Sequence, residues 1–341
     1  MGRLKIGQIG RHHEHAVSKF GTLRRRMADE FEIVGVVEDA PFMRGLTYKE
    51  YELQPFEGIP RLTLDEMLNY PGLDAVMIET PNADLVPIAT MAMEHGLAIH
   101  MDKPTGADVG AYKRLLEGCA ARKLPFQIGY MYRGNPAVLW CREALRQGWL
   151  GEVQQFEGSM NHNYGGEPYQ GYLGAQPGGI LYNLGCHIVD VAVGLMGKPR
   201  GVYTYLTSVP GYDETTGNNA VAVLEYPHAF AIIRASSKDP AANPGRRFRL
   251  VATNATIDVW PAERFDGKPL LMELTVANDI PGYVAGHHVV DFGVTPDRYD
   301  VQLREFAAMI RGTAQSSYSI EHDLAVAEVV ADFMKGTGRV I

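Results

Sequence analysis

The sequence predicts an α/β protein of two domains: a doubly wound parallel sheet, followed by an α+β domain with a large, mostly antiparallel sheet. Three observations predict this class. The 341 residues exceed what one hydrophobic core usually serves, short apolar runs alternate with amphipathic stretches in the first half, and longer alternating runs dominate the second half. We place the domains at residues 1–126 and 127–341, with the C-terminal helices as candidates to pack back on the first domain.

The first half repeats a strand followed by a helix. LKIGQI is the first predicted strand, and apolar residues at helical spacing then predict a helix from about Glu14 to Asp29. FEIVGVV is the second strand, and Glu38 follows it. Further strands and helices are predicted, in chain order, over LDAVMIE, DLVPIATMAMEHG, LAIHM, GAYKRLLEGCAARK and LPFQIGY. This order is typical of a parallel sheet with helices on both faces.

The second half begins with a helix over AVLWCREALRQG and then changes to strands of the hairpin type, which indicate an antiparallel sheet. The predicted strands are EVQQFEGSMNHNY, GVYTYLTSV, AVAVLEY, AFAIIRAS, FRLVATNATIDVW and LLMELTV. A helix over ILYNLGCHIVDVAVGLM interrupts this series, and helical patterns return near residues 298–311 and 322–335.

Composition excludes several classes of partner. The formal net charge of −8 provides no basic surface for a nucleic acid, and no apolar run approaches the roughly 20 residues of a membrane-spanning helix. The N-terminus shows no apolar signal core, and three cysteines without CxxC spacing indicate neither a disulfide framework nor a cysteine zinc site. We therefore expect a cytoplasmic protein with no nucleic-acid partner and no membrane partner.

The stretch GQIGRHHEHA lies after the first strand, where a dinucleotide-binding turn would place GxGxxG. The three glycine positions fall on Gly10, His12 and His15, so only the first glycine is present. The free N–H groups of the following helix still favour an anion, aided by Arg11. We assign Gly10, Arg11, His12 and His13 to cofactor binding. Two alternatives stay open. The histidines could be loop residues without a role, or they could bind a metal. We do not predict a metal, because the HExxH order of zinc-binding helices is absent.

Glu38 follows the second strand, where an acidic residue commonly accepts hydrogen bonds from the adenosine ribose of a dinucleotide. A carboxylate in this place repels the 2′-phosphate of NADP. The sequence therefore favours NAD over NADP as the cofactor.

Lys103 follows the strand LAIHM within the sequence DKP. Open α/β sheets bind their ligands at the carboxyl ends of the strands. A lysine at such an end can exchange a proton with a substrate hydroxyl, which makes Lys103 a candidate acid and base.

A second constellation lies in GGILYNLGCHIVD, residues 178–190. Asn183, His187 and Asp190 are spaced by four and three residues, so they lie near one face if the segment is helical. His187 then points at the site, and Asp190 anchors the helix.

Four segments follow one another along the chain: ETPN at 79–82, DKP at 102–104, GYMYRGNPA at 129–137 and GGILYNLGCHIVD at 178–190. They resemble the TPN turn, the EKP, the G-Y-x-x-R-x-x-P and the GG-x-x-x-D-x-G-x-H-x-x-D motifs of the glucose-fructose oxidoreductase, inositol dehydrogenase and MocA-like family. The resemblance covers essentially the whole chain. It implies an N-terminal Rossmann domain and a C-terminal domain whose open sheet face commonly serves oligomerisation, and hence a homodimer or homotetramer.

The resemblance also implies roles for single residues. Lys103 matches the catalytic lysine of the family and His187 its catalytic histidine, while Asn183 stands where an aspartate is usual. An amide cannot take up a proton as a carboxylate does, so Asn183 is expected to orient a substrate hydroxyl or His187. The matched turns give these cofactor-binding residues: Thr80, Pro81, Asn82, Asp102 and Lys103.

Polar and aromatic side chains near the expected cleft suit a polyol ligand. They are Tyr132, Arg133, His162, Tyr164 and Tyr182. Together with the resemblance, these features predict an NAD(P)-dependent oxidoreductase that transfers a hydride between nicotinamide and a hydroxyl or keto group of a sugar, sugar derivative or cyclitol. Two alternatives stay open: a lyase, hydrolase or epimerase in which bound NAD oxidises the sugar transiently, and a ligand-binding protein of the same fold without turnover.

Overall fold

A computed structural model describes residues 2–11, 15–38, 54–163 and 165–335. The chain divides into two compact units. The first unit comprises Met1–Met131 and Tyr299–Leu324, and the second comprises Tyr132–Arg298 and Ala325–Ile341. Among the described residues, every helix is too short or too polar to cross a lipid bilayer.

Parallel strands form the sheet of the first unit. They are β1 (Leu4–Ile9), β2 (Phe31–Val37), β3 (Arg61–Leu62), β4 (Ala75–Ile78), β5 (Ala98–Met101) and β6 (Phe126–Ile128). Their order in this six-stranded sheet is β3-β2-β1-β4-β5-β6. The order reverses between β1 and β4, and ligands of such sheets bind at the carboxyl ends of the strands beside that point. The predicted doubly wound parallel sheet is therefore confirmed.

Four helices connect the described strands of this sheet. They are α1 (Ala16–Arg26), α2 (Leu64–Leu68), α3 (Asn82–Glu94) and α4 (Val109–Arg122). The apolar face of α1 buries Phe20 in a cluster with Val36 and Phe56, as the helical spacing predicted. Its predicted start at Glu14 lies outside the described residues.

A second sheet belongs to the second unit. Its strands are β7 (Val153–Asn161), β8 (Gly201–Thr207), β9 (Asn219–Glu225), β10 (Phe230–Ser236), β11 (Arg247–Ala252), β12 (Ala255–Val259), β13 (Leu271–Val276) and β14 (Gly286–Asp291). Their order in this eight-stranded sheet is β14-β13-β12-β11-β7-β10-β9-β8. Neighbouring strands are antiparallel except β7 and β10, which are parallel. The predicted large, mostly antiparallel sheet is confirmed.

The stretch FRLVATNATIDVW, predicted as one strand, forms the two antiparallel strands β11 and β12. The turn between them is held by side-chain hydrogen bonds. The backbone N–H of Glu152 donates to Thr253 Oγ1 at 3.0 Å, and Asn254 Nδ2 donates to the carbonyl oxygen of Trp149 at 3.0 Å. These bonds tie the turn to residues 149–152, which precede β7.

The second unit also contains the helices α5 (Pro136–Arg146), α6 (Glu167–Ala175) and α7 (Cys186–Met196). A π-helical turn over Leu181–Gly185 precedes α7. The backbone N–H of Cys186 donates to the carbonyl oxygen of Leu181, five residues earlier. The predicted helix over this stretch therefore contains a π-helical turn and is regular α-helix from Cys186 onward. Near the C-terminus, α8 (Asp300–Ile310) and α9 (Ile320–Met334) confirm the predicted helical patterns.

Candidate functional site

The turn after β1 requires the glycine that the sequence retains. Gly10 has a φ of +89°, and a Cβ added to it would lie 2.7 Å from the carbonyl oxygen of Glu79 and 2.9 Å from the backbone nitrogen of Thr80. A larger residue would therefore be strained and would also clash with the backbone after β4. A turn that requires glycine directly after the first strand is typical of a dinucleotide-binding sheet. His12 and His13 lie outside the described residues.

Glu38 lies at the carboxyl end of β2 between two arginines. Arg61 donates a hydrogen bond from its guanidinium to Glu38 Oε1, and Arg11 Nη2 lies 3.9 Å from Glu38 Oε2. Arg11 and Glu38 are residues that the sequence predicts for this site, and Arg61 is not. Arg61 comes close to Glu38 only in the folded sheet, where β3 pairs with β2 and Arg61 lies opposite Val36. This pairing cannot be read from the sequence.

The ETPN segment leads directly into α3, which begins at Asn82. Thr80 is fully buried, and its Oγ1 donates to the carbonyl oxygen of Pro81 at 3.3 Å. The N-cap residue of α3 is Pro81, whose side chain makes no capping hydrogen bond. A helix N-terminus at the carboxyl edge of a parallel sheet favours an anionic or polar ligand group.

A buried cluster of charged residues lies beside this edge. Lys19 Nζ donates to Glu79 Oε1 at 2.9 Å and to Asp102 Oδ1 at 3.0 Å. His15 Nδ1 lies 3.1 Å from Asp102 Oδ2. Gly129 packs over the cluster, because a Cβ added there would lie 2.5 Å from Lys19 Nζ. Asp102 was predicted to bind the cofactor. In the structure its carboxylate binds Lys19 and contacts His15.

Burial and mutual attraction change the protonation of this cluster. Burial raises the pKa of Glu79 well above 4.5, the negative charge of Asp102 raises it further, and Lys19 lowers it. Burial alone would lower the pKa of Lys19, but the charges of Asp102 and Glu79 outweigh this and raise it. Lys19 therefore stays positively charged, and Glu79 retains its proton to a higher pH than an ordinary glutamate.

Lys103 follows Asp102 directly, at the carboxyl end of β5, and its side chain is fully buried. The position agrees with the sequence analysis, which placed this lysine at a ligand-binding strand end. Lys19 and Glu79 were not predicted, since an isolated lysine on a helix and a glutamate after a strand carry no local signal of burial.

In the second unit, the residues of GGILYNLGCHIVD have separate partners. Asn183, on the π-helical turn, donates from Nδ2 to Tyr169 Oη at 2.9 Å. The ring of His187 meets the ring of Tyr132 edge-on, with centroids 6.2 Å apart. Asp190 accepts hydrogen bonds from Arg133 Nε at 3.1 Å and from Arg133 Nη2 at 2.6 Å.

These contacts distinguish the predicted substrate residues. The side chain of Arg133 is buried and forms a bidentate ion pair with Asp190, which is a strong interaction. It therefore anchors α7. Tyr132 lies beside His187, and burial raises the pKa of Tyr132, so its hydroxyl stays protonated at neutral pH. Tyr182 is buried, and Tyr164 lies outside the described residues.

His162 belongs to a second buried cluster. Arg246 Nη2 donates to His162 Nδ1 at 2.8 Å, and Arg246 also pairs with Glu263. Arg298 Nη2 binds the other carboxylate oxygen of Glu263 at 2.9 Å. Arg246 was not predicted, because its burial depends on strands that are distant in sequence.

Across residues 2–11, 15–38, 54–163 and 165–335, no three histidine, cysteine, aspartate or glutamate side chains are grouped to hold a metal ion. The histidines of the first turn include two that lie outside these ranges, His12 and His13. The prediction that they bind no metal stays a prediction.

Two family models match the chain. The model GFO_IDH_MocA, described as an oxidoreductase family with an NAD-binding Rossmann fold, matches residues 6–130. The model of the GFO/IDH/MocA C-terminal domain matches residues 138–258. Together they cover more than half of the chain.

Curated relatives and solved structures agree with these matches. The scyllo-inositol 2-dehydrogenase (NAD(+)) of Bacillus subtilis is 28% identical over 45% of this chain and 42% of its own length. The D-xylose 1-dehydrogenase [NADP(+)] of Haloarcula marismortui is 26% identical over 55% of this chain and 54% of its own length. The chain thus matches about half the length of these relatives. The structure of an NAD binding oxidoreductase from Klebsiella pneumoniae has the same fold, with a TM-score of 0.78 at 17% identity over 99% of this chain and 97% of that one.

Proposed function

Because the chain belongs to the GFO/IDH/MocA oxidoreductase family, we propose that it is an NAD(P)-dependent dehydrogenase of a sugar, sugar derivative or cyclitol. The observation that carries the proposal is the position of Lys103, fully buried at the carboxyl end of β5 in a sheet of Rossmann order. The relatives named for scyllo-inositol and D-xylose support a polyhydroxylated substrate.

Residues of the first unit would hold the dinucleotide. The turn at Gly10, the N-terminus of α3 and the carboxylate of Glu38 suit a pyrophosphate, a polar group and a ribose, respectively. When bound, the nicotinamide supplies the hydride acceptor or donor. The protein residues supply binding, orientation and proton transfer.

In the proposed reaction, Lys103 Nζ takes the proton of the reacting hydroxyl during oxidation and returns it during reduction. His187 assists this transfer, and the edge-on ring of Tyr132 limits the orientations of its imidazole. Arg133 fixes Asp190 on α7, the helix that carries His187. The pair therefore acts as a support for the histidine.

The function is tested by mass spectrometry of ligands released from the purified protein, followed by a sugar and cyclitol screen with NAD and with NADP. Formation of reduced nucleotide together with a keto product would support the dehydrogenase. Product formed without net reduction would indicate the lyase, hydrolase or epimerase in which oxidation is transient. Ligand binding without any product would indicate a binding protein.

We predict that NAD binds more tightly than NADP. The carboxylate of Glu38 accepts hydrogen bonds from a ribose hydroxyl and repels a 2′-phosphate in the same place. Calorimetric titration of the protein with each nucleotide measures the two dissociation constants. Tighter binding of NADP would contradict the assignment of Glu38.

Changing Asn183 to aspartate is expected to leave kcat within about threefold of the native value or to raise it. The amide donates to Tyr169 Oη, and a carboxylate in its place can accept from the same hydroxyl, so the contact persists with its direction reversed. Asn183→Leu keeps the size and removes the hydrogen bond, so it serves as the control. It is expected to lower the free energy of unfolding, or to raise the activation free energy for kcat/KM, by about 1–3 kcal/mol. A collapse of kcat/KM in Asn183→Asp alone would show that the substrate needs the amide as a donor.

We also propose a homodimer or homotetramer formed through the open face of the second sheet. Large side chains on this sheet are exposed: Tyr203 and Tyr205 on β8, Phe230 on β10, and Trp260 after β12. Exposed aromatic side chains on one sheet favour association.

A further inference from the structure

Among the residues that the structure describes, the ion-pair cluster at the carboxyl end of β2 contains two guanidiniums and one carboxylate. Glu38 supplies the carboxylate, Arg11 after β1 supplies one guanidinium, and Arg61 on β3 supplies the other. The side chain of Arg11 is 15% exposed, whereas those of Glu38 and Arg61 are 46% and 39% exposed. Arg61 and Glu38 therefore face solvent at the place where the proposed function puts the adenosine ribose.

The charges of this cluster change what Glu38 does to a nucleotide. A lone carboxylate would repel a 2′-phosphate strongly. Here two guanidiniums lie against the carboxylate, so they offset part of its repulsion of a phosphate. An arginine guanidinium binds a phosphate through two parallel hydrogen bonds, which are stronger than neutral ones.

Arg61 is free to exchange partners. An exposed ion pair contributes only about 0–1 kcal/mol, so release of Glu38 by Arg61 costs little compared with the gain from a bound phosphate. Arg61 holds its place in β3 through backbone pairing with Val36, and its side chain is not needed for that pairing. The guanidinium can thus rotate while the strand stays fixed.

We propose that Arg61 is a coenzyme-specificity residue that lets this protein accept NADP as well as NAD. Glu38 binds the ribose of NAD, and Arg61 moves from Glu38 to the 2′-phosphate when NADP enters. The preference for NAD is then modest, within about tenfold. The inference rests on the proposed function, because it assumes that a dinucleotide binds at this edge.

The test is a set of calorimetric titrations with NAD, NADP, 5′-AMP and 2′,5′-ADP, which need no substrate and no turnover. Arg61→Gln is compared with the native protein and with Arg3→Gln. Arg3 is the matched control, since it forms an exposed ion pair with Glu32 at 3.5 Å, with side chains 54% and 44% exposed.

Arg61→Gln is expected to weaken binding of NADP and of 2′,5′-ADP by about tenfold or more, as expected for loss of one charged hydrogen-bonded contact. Binding of NAD and 5′-AMP should change by less than about threefold. Arg3→Gln should match the native protein with all four ligands. Glu38→Gln should bind NADP more tightly and NAD less tightly than the native protein.

Two results would overturn the inference. One is equal binding of NADP by Arg61→Gln and the native protein; the other is a native preference for NAD greater than about a hundredfold. If the native protein bound none of the four ligands, the proposed function itself would be wrong. The two failures are therefore distinguishable.

Discussion

Replacement of Lys103 by methionine is expected to lower kcat by about 10²–10⁴-fold, the range usual for a positioned acid and base. Methionine keeps much of the length of the side chain and brings no charge into a position that is fully buried. Packing is therefore largely preserved while the transferable proton is lost. Steady-state kinetics with the substrate found in the screen give kcat, and calorimetry gives the affinity for NAD.

The affinity for NAD is the internal control, and it should largely persist in Lys103→Met. His187→Ala should also lower kcat, and the double variant should be little worse than Lys103→Met, because groups that act on one step are strongly non-additive. Turnover of Lys103→Met at the native rate would rule out the proposed mechanism. A residue other than Lys103 would then have to supply the acid and base.

Replacement of Lys19 by methionine is expected to destabilise the protein by about 3–5 kcal/mol at pH 8, because it leaves two buried carboxylates without their counter-ion. The ammonium of Lys19 binds Glu79 and Asp102 at 2.9 and 3.0 Å. Urea unfolding at pH 5 and pH 8 measures the loss. Lys113→Met is the matched control, since Lys113 forms an exposed pair with Glu117 at 3.7 Å, and it should lose at most about 1 kcal/mol.

The loss in Lys19→Met should be smaller at pH 5 than at pH 8. Burial and Asp102 already hold the pKa of Glu79 above 4.5, and Lys19 lowers it. Without Lys19 that pKa rises further, so the folded protein takes up a proton that the unfolded chain does not. A carboxyl whose pKa is raised by folding stabilises the fold below its unfolded pKa, and this stability is lost as the pH rises through the folded pKa. A loss that is equal at both pH values would indicate removal of packing alone.

The regular elements were predictable because their signals are local. The alternation in AVAVLEY and AFAIIRAS predicts the hairpin of β9 and β10. In the structure Asn219 pairs with Ser236 at one end of the hairpin, and Glu225 pairs with Phe230 at the other. The two-residue strand β3 is too short to show any alternation. The order of strands in a sheet is a tertiary property, and the position of Arg61 beside Glu38 depends on it.

The candidate site was predictable where one motif supplies the residue and unpredictable where distant segments meet. Lys103 and His187 stand in contiguous motifs. Lys19 lies between Ser18 and Phe20 on a helix, and its sequence neighbours do not reveal that it meets residues 60 and 83 positions away. Arg246 likewise reaches His162 from 84 residues away.

The packing of Gly129 over Lys19 has a consequence for how the sequence can vary. A side chain at position 129 would place its Cβ 2.5 Å from Lys19 Nζ and 2.9 Å from Asp102 Oδ1. Lys19 cannot withdraw to make room, because its ammonium is held by two buried carboxylates. Positions 19 and 129 are therefore coupled: in homologous chains, alanine or a larger residue at 129 requires a shorter residue at 19, and the two should change together.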